Sequence, residues 1–397
     1  MSSSHHSPSN SAEAAAIISE ARAKKTPLAI SGGGTRSAIG RPMQTAADIT
    51  TAALNGITLY EPAEMVIGAK AGTPLGEVQK TLAEKGQQLA FEPMDHRALM
   101  SSTGEPTIGA IAAGNISGPR RINFGAARDS LIGVKFINGR GEDVQSGGRV
   151  MKNVTGLDLV KLSAGAWGTL GFLHEVTFKV LPKPETQLTL LISGLDDARA
   201  IAALSAALGS PFEPSGAAHL PRDIDRVAKT LIRLEGFSDS LRYRAGQLKE
   251  LLAGYGAIDV LEADASEMLW LRVRDATFLA EPRDRAVWRL SVAPTRGPEI
   301  VAQIRRQREI RHFYDWGGGL IWIATDATGD GGASVIRAAI AAFDSGHATL
   351  VRGSQELRDS VDVFQPLPEP LMKLQKGLKA SFDPDGILNP GKMYAGV

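Results

Sequence analysis

Thr107-Ile-Gly-Ala-Ile-Ala-Ala-Gly-Asn-Ile-Ser-Gly118 is the stretch of sequence that decides the fold of this chain. It is apolar and built from small residues, and it lies between Glu105-Pro106 and the basic pair Arg120-Arg121. Its glycines leave little side chain along the backbone, so a flat ligand or a pyrophosphate can approach the main-chain N–H groups closely. Taken alone, the stretch is equally compatible with a glycine-rich buried helix.

Two further glycine clusters lie in the same half of the chain. Ser31-Gly-Gly-Gly-Thr-Arg36 follows a predicted strand, and Gly165-Ala-Trp-Gly-Thr-Leu-Gly171 precedes one. Successive N–H groups in a glycine turn form a concave site that suits a pyrophosphate. The alternatives are a surface loop for the first cluster and a tight packing corner for the second. The order of the three clusters predicts a large cofactor bound in an extended conformation.

Composition narrows the class of protein. The 397 residues are enough for two domains, each with its own core. The 44 basic and 43 acidic residues give a net charge of +1, which argues against nucleic-acid binding. Cysteine is absent, which excludes an Fe–S cluster, a cysteine-ligated zinc and a cysteine nucleophile within this chain. Residues 1–10 are polar, unlike a signal peptide, and we predict a disordered tail in the cytoplasm.

The sequence pattern changes after Glu185, where strand-like segments alternate with segments typical of amphipathic helices. Predicted strands cover residues 187–193, 230–235, 286–292 and 319–325, and predicted helices cover 196–208, 240–253 and 300–308. This pattern predicts a second domain of α+β type, a sheet with helices on one face.

Several of these segments resemble the vanillyl-alcohol-oxidase/PCMH-type FAD-binding family, and within it the FAD-binding subunits of bacterial glycolate oxidases. The matching segments are 30–35, 107–120, 124–133, 162–176 and the ending 382–392. The resemblance implies an α+β fold in which a two-part PCMH-type FAD-binding domain holds an inserted α+β cap or substrate domain. The FAD-binding domain would span 11–185, the cap domain 186–350, and a C-terminal segment, 351–397, would return to the FAD-binding domain.

The resemblance also implies which residues hold FAD. The pyrophosphate would lie against Gly32, Gly33, Gly34, Thr35 and Arg36; the flavin ring and ribityl chain against Pro93, Thr107, Gly109, Ala113, Gly114, Asn115 and Gly118; and Gly165, Gly168, Leu170, Gly171 and Phe172 would close over the dinucleotide. Some relatives attach FAD covalently through a histidine in the first cluster. Gly34 stands at that position here, so we predict noncovalent FAD.

Candidate catalytic residues are His312, Arg120 and Lys392. His312 has polar and aromatic neighbours before a glycine run, and a structural role is the alternative. Arg120 follows the flavin loop, and its guanidinium suits a carboxylate, although a solvated surface arginine has the same signature. Lys392 ends the family-like tail, where a simple turn is the other interpretation. Catalytic relatives carry a metal-binding Gly-Asp-Gly-Asn-x-His segment that this chain lacks, so we predict no metal site.

The implied function is that of an FAD-linked oxidoreductase acting on CH–OH groups. More closely, the resemblance implies an FAD-binding subunit of a glycolate (2-hydroxyacid) oxidase or dehydrogenase complex. A sister FAD-containing subunit would carry the main oxidising site, and an Fe–S subunit would take the electrons. The complex would be cytoplasmic, either free or peripheral on the inner face of the membrane through its partners. The alternatives are a non-catalytic structural or assembly flavoprotein and an independent FAD dehydrogenase of another hydroxy acid. The sequence leaves the substrate and the stoichiometry open.

Overall fold

Short helices and strands, separated by glycine-rich turns, form the first half of the chain. The computed structural model describes residues 4–148, 157–344 and 346–397. The elements of the first half are β1 (Ser4–His6), α1 (Ser11–Ala23), β2 (Leu28–Ser31), β3 (Ala47–Thr50), β4 (Ile57–Glu61), β5 (Val66–Lys70), α2 (Leu75–Ala83), β6 (Gln87–Gln88), α3 (Arg97–Met100), α4 (Ile108–Gly114), α5 (Arg121–Phe124), α6 (Ala127–Ser130), β7 (Leu131–Ile137), β8 (Asp143–Gly147), α7 (Leu159–Ser163), β9 (Phe172–Lys179) and β10 (Leu181–Pro182).

Two main sheets organise this half. A parallel sheet has the order β1-β3-β2, and an antiparallel sheet has the order β4-β5-β9-β7-β8. The helix α4 packs on the antiparallel sheet, with Ile108 and Ile111 buried in the core beneath it. The stretch 107–118 is therefore a short helix followed by a loop, not a loop throughout.

The second half is built around one large sheet. Its elements are β11 (Thr186–Ser193), α8 (Asp197–Leu208), β12 (Gly216–Leu220), β13 (Lys229–Gly236), α9 (Ser238–Leu251), β14 (Ile258–Leu261), α10 (Ala263–Arg274), β15 (Ala286–Ser291), α11 (Gly297–Arg305), β16 (Ile310–Asp315), β17 (Leu320–Thr325), α12 (Ala333–Ala342) and β18 (His347–Arg352). Eight strands pair in the order β14-β11-β13-β12-β16-β17-β15-β18. The C-terminal segment adds α13 (Gln355–Ser360) and α14 (Glu369–Phe382).

The two faces of the eight-stranded sheet enter different cores. Leu190, Trp288 and Ile323 pack in one core with residues of α8, α9, α11 and α12. Their strand neighbours Leu191 and Val287 belong to the other core, which the sheet shares with the first half. We call these the outer and the inner face. The alternation follows from the two-residue period of a strand. The helices α8, α9, α11 and α12 cover the outer face, as predicted for a sheet with helices on one face, whereas α10 places Trp270 in the inner core.

Both ends of the chain are tied to the parallel sheet. The sequence predicts a disordered tail over residues 1–10, but Ser4–His6 pairs with β3. Main-chain hydrogen bonds to this neighbouring strand order residues 4–6. At the other end, Leu28 N donates to Ile387 O and Asn389 N donates to Leu28 O. The segment that follows the large sheet thus returns to the first half. No helix within the described residues is long and apolar enough to span a membrane.

Candidate functional site

The three glycine clusters meet in one cleft in the first half of the molecule. The cleft has a volume of about 410 Å³. It is lined by His5, Ala29, Ile30, Ser31, Gly32, Gly33, Gly34, Thr35, Arg36, Ser37, Met43, Asp48, Thr51, Ala71, Gly109, Ala110, Ala113, Trp167, Gly168, Gly171, Leu173, Asn389 and Lys392. We call it the glycine cleft. Residues from β2, α4, the turn before β9 and the C-terminal segment therefore face a common space.

Two glycines allow the first cluster to lie where it does. A Cβ on Gly33 would stand 1.7 Å from Glu105 O, and a Cβ on Gly104 would stand 1.6 Å from Gly33 O. These distances are far below van der Waals contact, so the two loops cross backbone against backbone. Glycine at these positions is thus required by packing within the chain as well as by the approach of a ligand.

Polar groups around the cleft suit an anionic dinucleotide. The hydroxyl groups of Thr51 and Thr107 are buried and have no hydrogen-bond partner within the described part of the chain. Arg36 donates to His96 Nδ1 and Met94 O, at 3.1 and 3.0 Å, and forms no ion pair with a described carboxylate. Burial lowers the pKa of Arg36 to about 10, which leaves a charged guanidinium in need of an anion. A pyrophosphate would satisfy these groups, so the residues present fit FAD.

Lys392 and Asn389 bring the C-terminal segment to the same cleft. Asn389 Oδ1 accepts from Ile30 N at 2.7 Å, and its Nδ2 donates to Trp167 O at 2.7 Å. Lys392 is 6% exposed, and burial, with the nearby Arg358, lowers the pKa of its ammonium to about 8. Of the three predicted catalytic residues, only Lys392 lines the cleft.

Ten of the predicted cofactor residues lie in or next to the glycine cleft, and the other seven lie outside its lining. Gly32, Gly33, Gly34, Thr35, Arg36, Gly109, Ala113, Gly168 and Gly171 line the cleft. Thr107 is next to it, since a Cβ on Gly32 would stand 2.4 Å from Thr107 Oγ1. Gly114, Asn115, Gly118, Gly165, Leu170 and Phe172 are not among the lining residues. Pro93 borders a separate cavity of about 510 Å³ between the two halves.

His312 lies away from the glycine cleft. On β16, Phe313 belongs to the inner core and Tyr314 to the outer one, so alternation places His312 on the outer face. Its Nε2 lies 2.9 Å from Asp197 Oδ2, and its Nδ1 lies 3.5 Å from Asp223 Oδ2. Burial alone would lower the pKa of His312, but the two carboxylates raise it. The geometry gives the predicted catalytic role of His312 no support, because its ring is fully buried in this cluster.

Arg120 lies in the cavity between the two halves and already binds a carboxylate of the chain. Its Nη2 donates to Glu235 Oε1 at 2.6 Å. Beside it, Arg233 holds Glu92 through two hydrogen bonds of 3.0 and 2.9 Å. Burial would lower the pKa of Arg120, but Glu92 and Glu235 raise it. The Arg120 guanidinium, a candidate for binding a carboxylate, therefore pairs with a carboxylate of the second half, and Arg120 is not among the residues that line the glycine cleft.

Several residues of the cleft were missed in the sequence. His5, Asp48 and Thr51 come from β1 and the region of β3, which carry no glycine signal. Asn389 was part of the quoted ending, and its position before Pro390-Gly391 offered a signal, because asparagine tolerates the left-handed conformation. His96, which accepts the hydrogen bond from Arg36, had no local signature at all.

Known proteins share this chain's sequence and architecture. A family model described as an FAD binding domain matches residues 6–147. The glycolate oxidase subunit GlcE of Escherichia coli (strain K12) is 32% identical over 378 residues, which cover 95% of this chain and 95% of GlcE. This chain belongs to the GlcE family.

More distant matches agree with this GlcE-family assignment. A D-lactate dehydrogenase of Anaerostipes hadrus is 26% identical over 434 residues, covering 96% of this chain and 87% of that enzyme. The structure of p-cresol methylhydroxylase with substrate bound superposes with a TM-score of 0.74 at 13% identity, covering 98% of this chain and 88% of that one. At that identity the likeness concerns the fold alone.

Three predictions are thereby confirmed. The fold is α+β of the PCMH type, FAD is the cofactor, and the chain is an FAD-linked oxidoreductase of the GlcE family. The noncovalent attachment, the domain boundaries and the individual site residues stay predictions of the sequence, to which the structure adds the positions given above.

Proposed function

We propose that the chain is an FAD-containing subunit of a complex that oxidises glycolate or a related 2-hydroxy acid to the 2-oxo acid. The observation that carries the proposal is the meeting of three glycine clusters in one cleft beside an unpaired, buried Arg36. The relatives described above, a glycolate oxidase subunit and a D-lactate dehydrogenase, support the substrate class.

The residues of the cleft would each contribute to holding the cofactor. Main-chain N–H groups of Gly32–Gly34 and the Arg36 guanidinium would face the pyrophosphate, and the Lys392 ammonium would add a second positive charge. When bound, FAD supplies the acceptor for the two electrons that leave the substrate together with two protons. The side chains' part is to bind, orient and exclude water.

Lys392→Met tests the contribution of the C-terminal lysine. We expect the affinity for FAD to fall about tenfold, because the variant loses one ion pair between the lysine and the cofactor, which corresponds to ~1.4 kcal/mol of binding free energy. Lys373→Met on α14, an exposed lysine outside the cleft, is the matched control and should leave the affinity unchanged. Equal FAD affinities in both variants and the unaltered chain would remove Lys392 from the site.

Electrons would have to leave this chain through a partner. The sequence contains no cysteine, so an Fe–S cluster would belong to another subunit. We infer a sister FAD subunit and an Fe–S subunit, because GlcE is by name one subunit of a glycolate oxidase. Co-purification from the native host, followed by flavin and iron analysis, tests this composition; a chain that purifies alone with full glycolate activity contradicts it.

A second candidate is a flavoprotein subunit that holds FAD without turning over substrate. It is favoured by one observation: the described residues contain no group of three His, Asp or Glu side chains placed to hold a metal ion. Anaerobic addition of glycolate to the FAD-loaded chain distinguishes the two. Bleaching of the flavin absorbance supports local oxidation, and an unchanged spectrum supports the second candidate. D-lactate and 2-hydroxyglutarate in parallel test an independent dehydrogenase of another hydroxy acid.

A further inference from the structure

Three aromatic side chains form a row that connects the glycine cleft with the C-terminal segment. Trp167 lines the cleft, and its ring centroid lies 6.0 Å from that of Phe364, which it meets edge to face at 60°. The Phe364 ring in turn lies 6.2 Å from that of Tyr394. Aromatic rings at such separations and angles attract each other. Since Phe364 and Tyr394 do not line the cleft, they support the indole without entering the cofactor space.

The main chain of Trp167 has a conformation that bulky residues rarely adopt. Its φ is +53°, in the left-handed region, between Gly165 at +87° and Gly168 at +76°. Two hydrogen bonds fix this conformation: Trp167 N donates to Ala113 O at 3.0 Å, and Asn389 Nδ2 donates to Trp167 O at 2.7 Å. Glycine would adopt it without strain. A tryptophan at a glycine-type position indicates that the indole contributes something that offsets the strain.

The Trp167 indole differs from the buried indoles of the second half. Trp270, Trp288 and Trp316 are almost fully buried, and the Nε1 of each donates a hydrogen bond within the chain. Trp167 is only half-buried, and no hydrogen bond joins its Nε1 to a described residue. The three buried indoles are accounted for by the packing and hydrogen bonds of the folded chain, whereas part of the Trp167 ring remains available in the cleft.

The indole lies at the C-terminal end of α4. A Cβ on Gly114 would stand 3.4 Å from Trp167 Cη2, and Ala113, which accepts from Trp167 N, also lines the cleft. The sequence assigns the flavin ring to the stretch that contains α4 and the pyrophosphate to Gly32–Gly34 and Arg36. A ring that lies against the indole at this end of the cleft would therefore be the isoalloxazine rather than the adenine.

We propose that the indole of Trp167, supported by Phe364 and Tyr394, stacks on the isoalloxazine ring of FAD and positions it in the glycine cleft. The inference rests on the proposed function and adds a positioning residue for its cofactor. Offset stacking of two flat aromatic systems is favourable, and it fixes the plane of the ring as well as its place. The C-terminal segment then acts on Trp167 twice, through Asn389 on its main chain and through two rings on its side chain.

The experiment measures the emission of bound FAD and its affinity in Trp167→Phe and Trp167→Gly. A stacked indole quenches flavin emission, because the excited flavin takes an electron from the indole and returns it without emitting light. We expect bound FAD to be severalfold brighter in both variants than in the unaltered chain. FAD affinity should fall about tenfold in Trp167→Gly and less in Trp167→Phe, which retains a ring. Glycine accepts the left-handed conformation, so backbone strain does not cause the loss.

Phe364→Leu tests the supporting ring. It removes the edge-to-face contact with Trp167, so the emission should lie between those of Trp167→Phe and the unaltered chain. Phe237→Leu is the matched control, since Phe237 is 73% exposed and lies outside the cleft, and it should leave emission and affinity unchanged. Equal emission of Phe364→Leu and Phe237→Leu would contradict the support.

FMN, which lacks the adenosine, and ADP, which lacks the flavin, identify the stacked ring. Weaker FMN binding with unchanged ADP binding in Trp167→Gly supports the inference. Weaker ADP binding with unchanged FMN binding overturns it, because the indole would then hold the adenine. Unchanged emission of bound FAD in both Trp167 variants also overturns it, since a purely structural indole would alter stability but not quenching. If glycolate fails to bleach the flavin while the variants brighten as expected, the proposed oxidation fails and the stacking stands.

Discussion

Gly33 and Gly104 cross with their main chains in contact, so each position excludes every side chain. We predict that Gly33→Ala destabilises the fold by about 1–3 kcal/mol, because the loop at Glu105 must shift to admit a methyl group. The shift also displaces N–H groups of the glycine cleft, so FAD affinity should fall as well. Urea unfolding and flavin fluorescence measure the two effects.

Gly76→Ala is the matched control for that experiment. Gly76 lies within α2, where an added Cβ meets no atom within 4 Å. Alanine is the better helix former by about 0.5–1 kcal/mol, so this variant should be as stable as the unaltered chain or more so. A Gly33→Ala chain that behaves in the same way would show that the crossing of the two loops is loose.

His312 makes the stability of the second half depend on pH. Burial would lower the pKa of His312, but Asp197 and Asp223 hold it above its ordinary value. A raised pKa in the folded state stabilises fully below the unfolded value of about 6.5, and this stabilisation is lost as the pH rises through the folded value. We therefore predict that His312→Asn costs about 3–5 kcal/mol at pH 6 and clearly less at pH 9.

Denaturant unfolding of both chains at the two pH values measures that difference. The aspartates stay ionised from pH 6 to pH 9, so the change belongs to the histidine. His174→Asn is the control, since His174 pairs with Asp143, whose side chain is 46% exposed, and its replacement should cost little. An identical cost of His312→Asn at pH 6 and pH 9 would mean that His312 is neutral throughout.

Single residues also show where sequence reasoning reaches its end. The glycine clusters were recognisable because their signal is local, and the structure brings them together as expected. The contacts of Arg121 and Arg289 with the ring of Trp316 had no local signal in the sequence. Arg121 lies more than a hundred positions from the other two residues and meets them only where the two halves pack.

At the scale of elements, the C-terminal segment holds β2 in place. Asn389 bonds to Ile30 N and to Trp167 O, and both of those residues line the glycine cleft. We predict that Asn389→Ala costs about 2–4 kcal/mol, because two main-chain groups lose their partner in a partly buried site. FAD affinity should fall in parallel, as measured by flavin fluorescence.

Asn389→Asp separates the two hydrogen bonds. It keeps the oxygen that accepts from Ile30 N and loses the donor to Trp167 O. Its stability should therefore lie between those of Asn389→Ala and the unaltered chain. If Asn389→Ala unfolds at the same urea concentration as the unaltered chain, the contact of the C-terminal segment with β2 does not contribute to stability.

Elements with a clear period of apolar residues or a recognisable helix cap were predictable, and elements whose burial depends on partners distant in the chain were not. The helix α1 begins after Asn10, whose side chain accepts from Glu13 N, as its sequence predicts. The strand β16 was missed because Ile310–Asp315 shows no alternation of polar and apolar residues: Arg311 and His312 are followed by two aromatic residues. Its His312 shares a hydrogen bond with Asp197, 115 positions earlier, and no local pattern contains that partner.

At the scale of the whole molecule, crossed ion pairs join the two halves. Glu92 of the first half binds Arg233 of β13, and Arg120 of the first half binds Glu235 of the same strand. Burial would raise the pKa of Glu92, but Arg233 and Arg120 lower it to about 2. We predict that Arg233→Met destabilises the chain by about 3–5 kcal/mol, because it leaves a buried carboxylate unpaired.

The double variant Glu92→Gln with Arg233→Met tests that reason. It removes both charges, so it should recover part of the loss seen in Arg233→Met, and a thermodynamic cycle of the four chains gives the coupling. Arg242→Met, at an exposed pair with Asp239, is the control and should change stability little. If the double variant loses more free energy of unfolding than the two single variants lose together, the two charges do not compensate each other.

The overall architecture was predictable because the family resemblance carries it, including the return of the last segment to the first half. The placement of charge between the halves was not. Arg120 was read as a ligand for substrate, yet Glu235 from β13 takes its charge. The carboxylate that pairs with Arg120 comes from the large sheet, and this pairing depends on packing between segments far apart in the chain.

The bond between Ile30 and Asn389 spans 359 positions, and this has a consequence for biosynthesis. A ribosome adding about 5–20 residues per second needs roughly 20–70 s to reach Asn389 after Ile30 has been made. During that time the strand that leads into the glycine cluster lacks its hydrogen bond to the C-terminal segment. We therefore expect flavin loading to follow release of the finished polypeptide, and cells short of riboflavin to accumulate a complete but empty apoprotein.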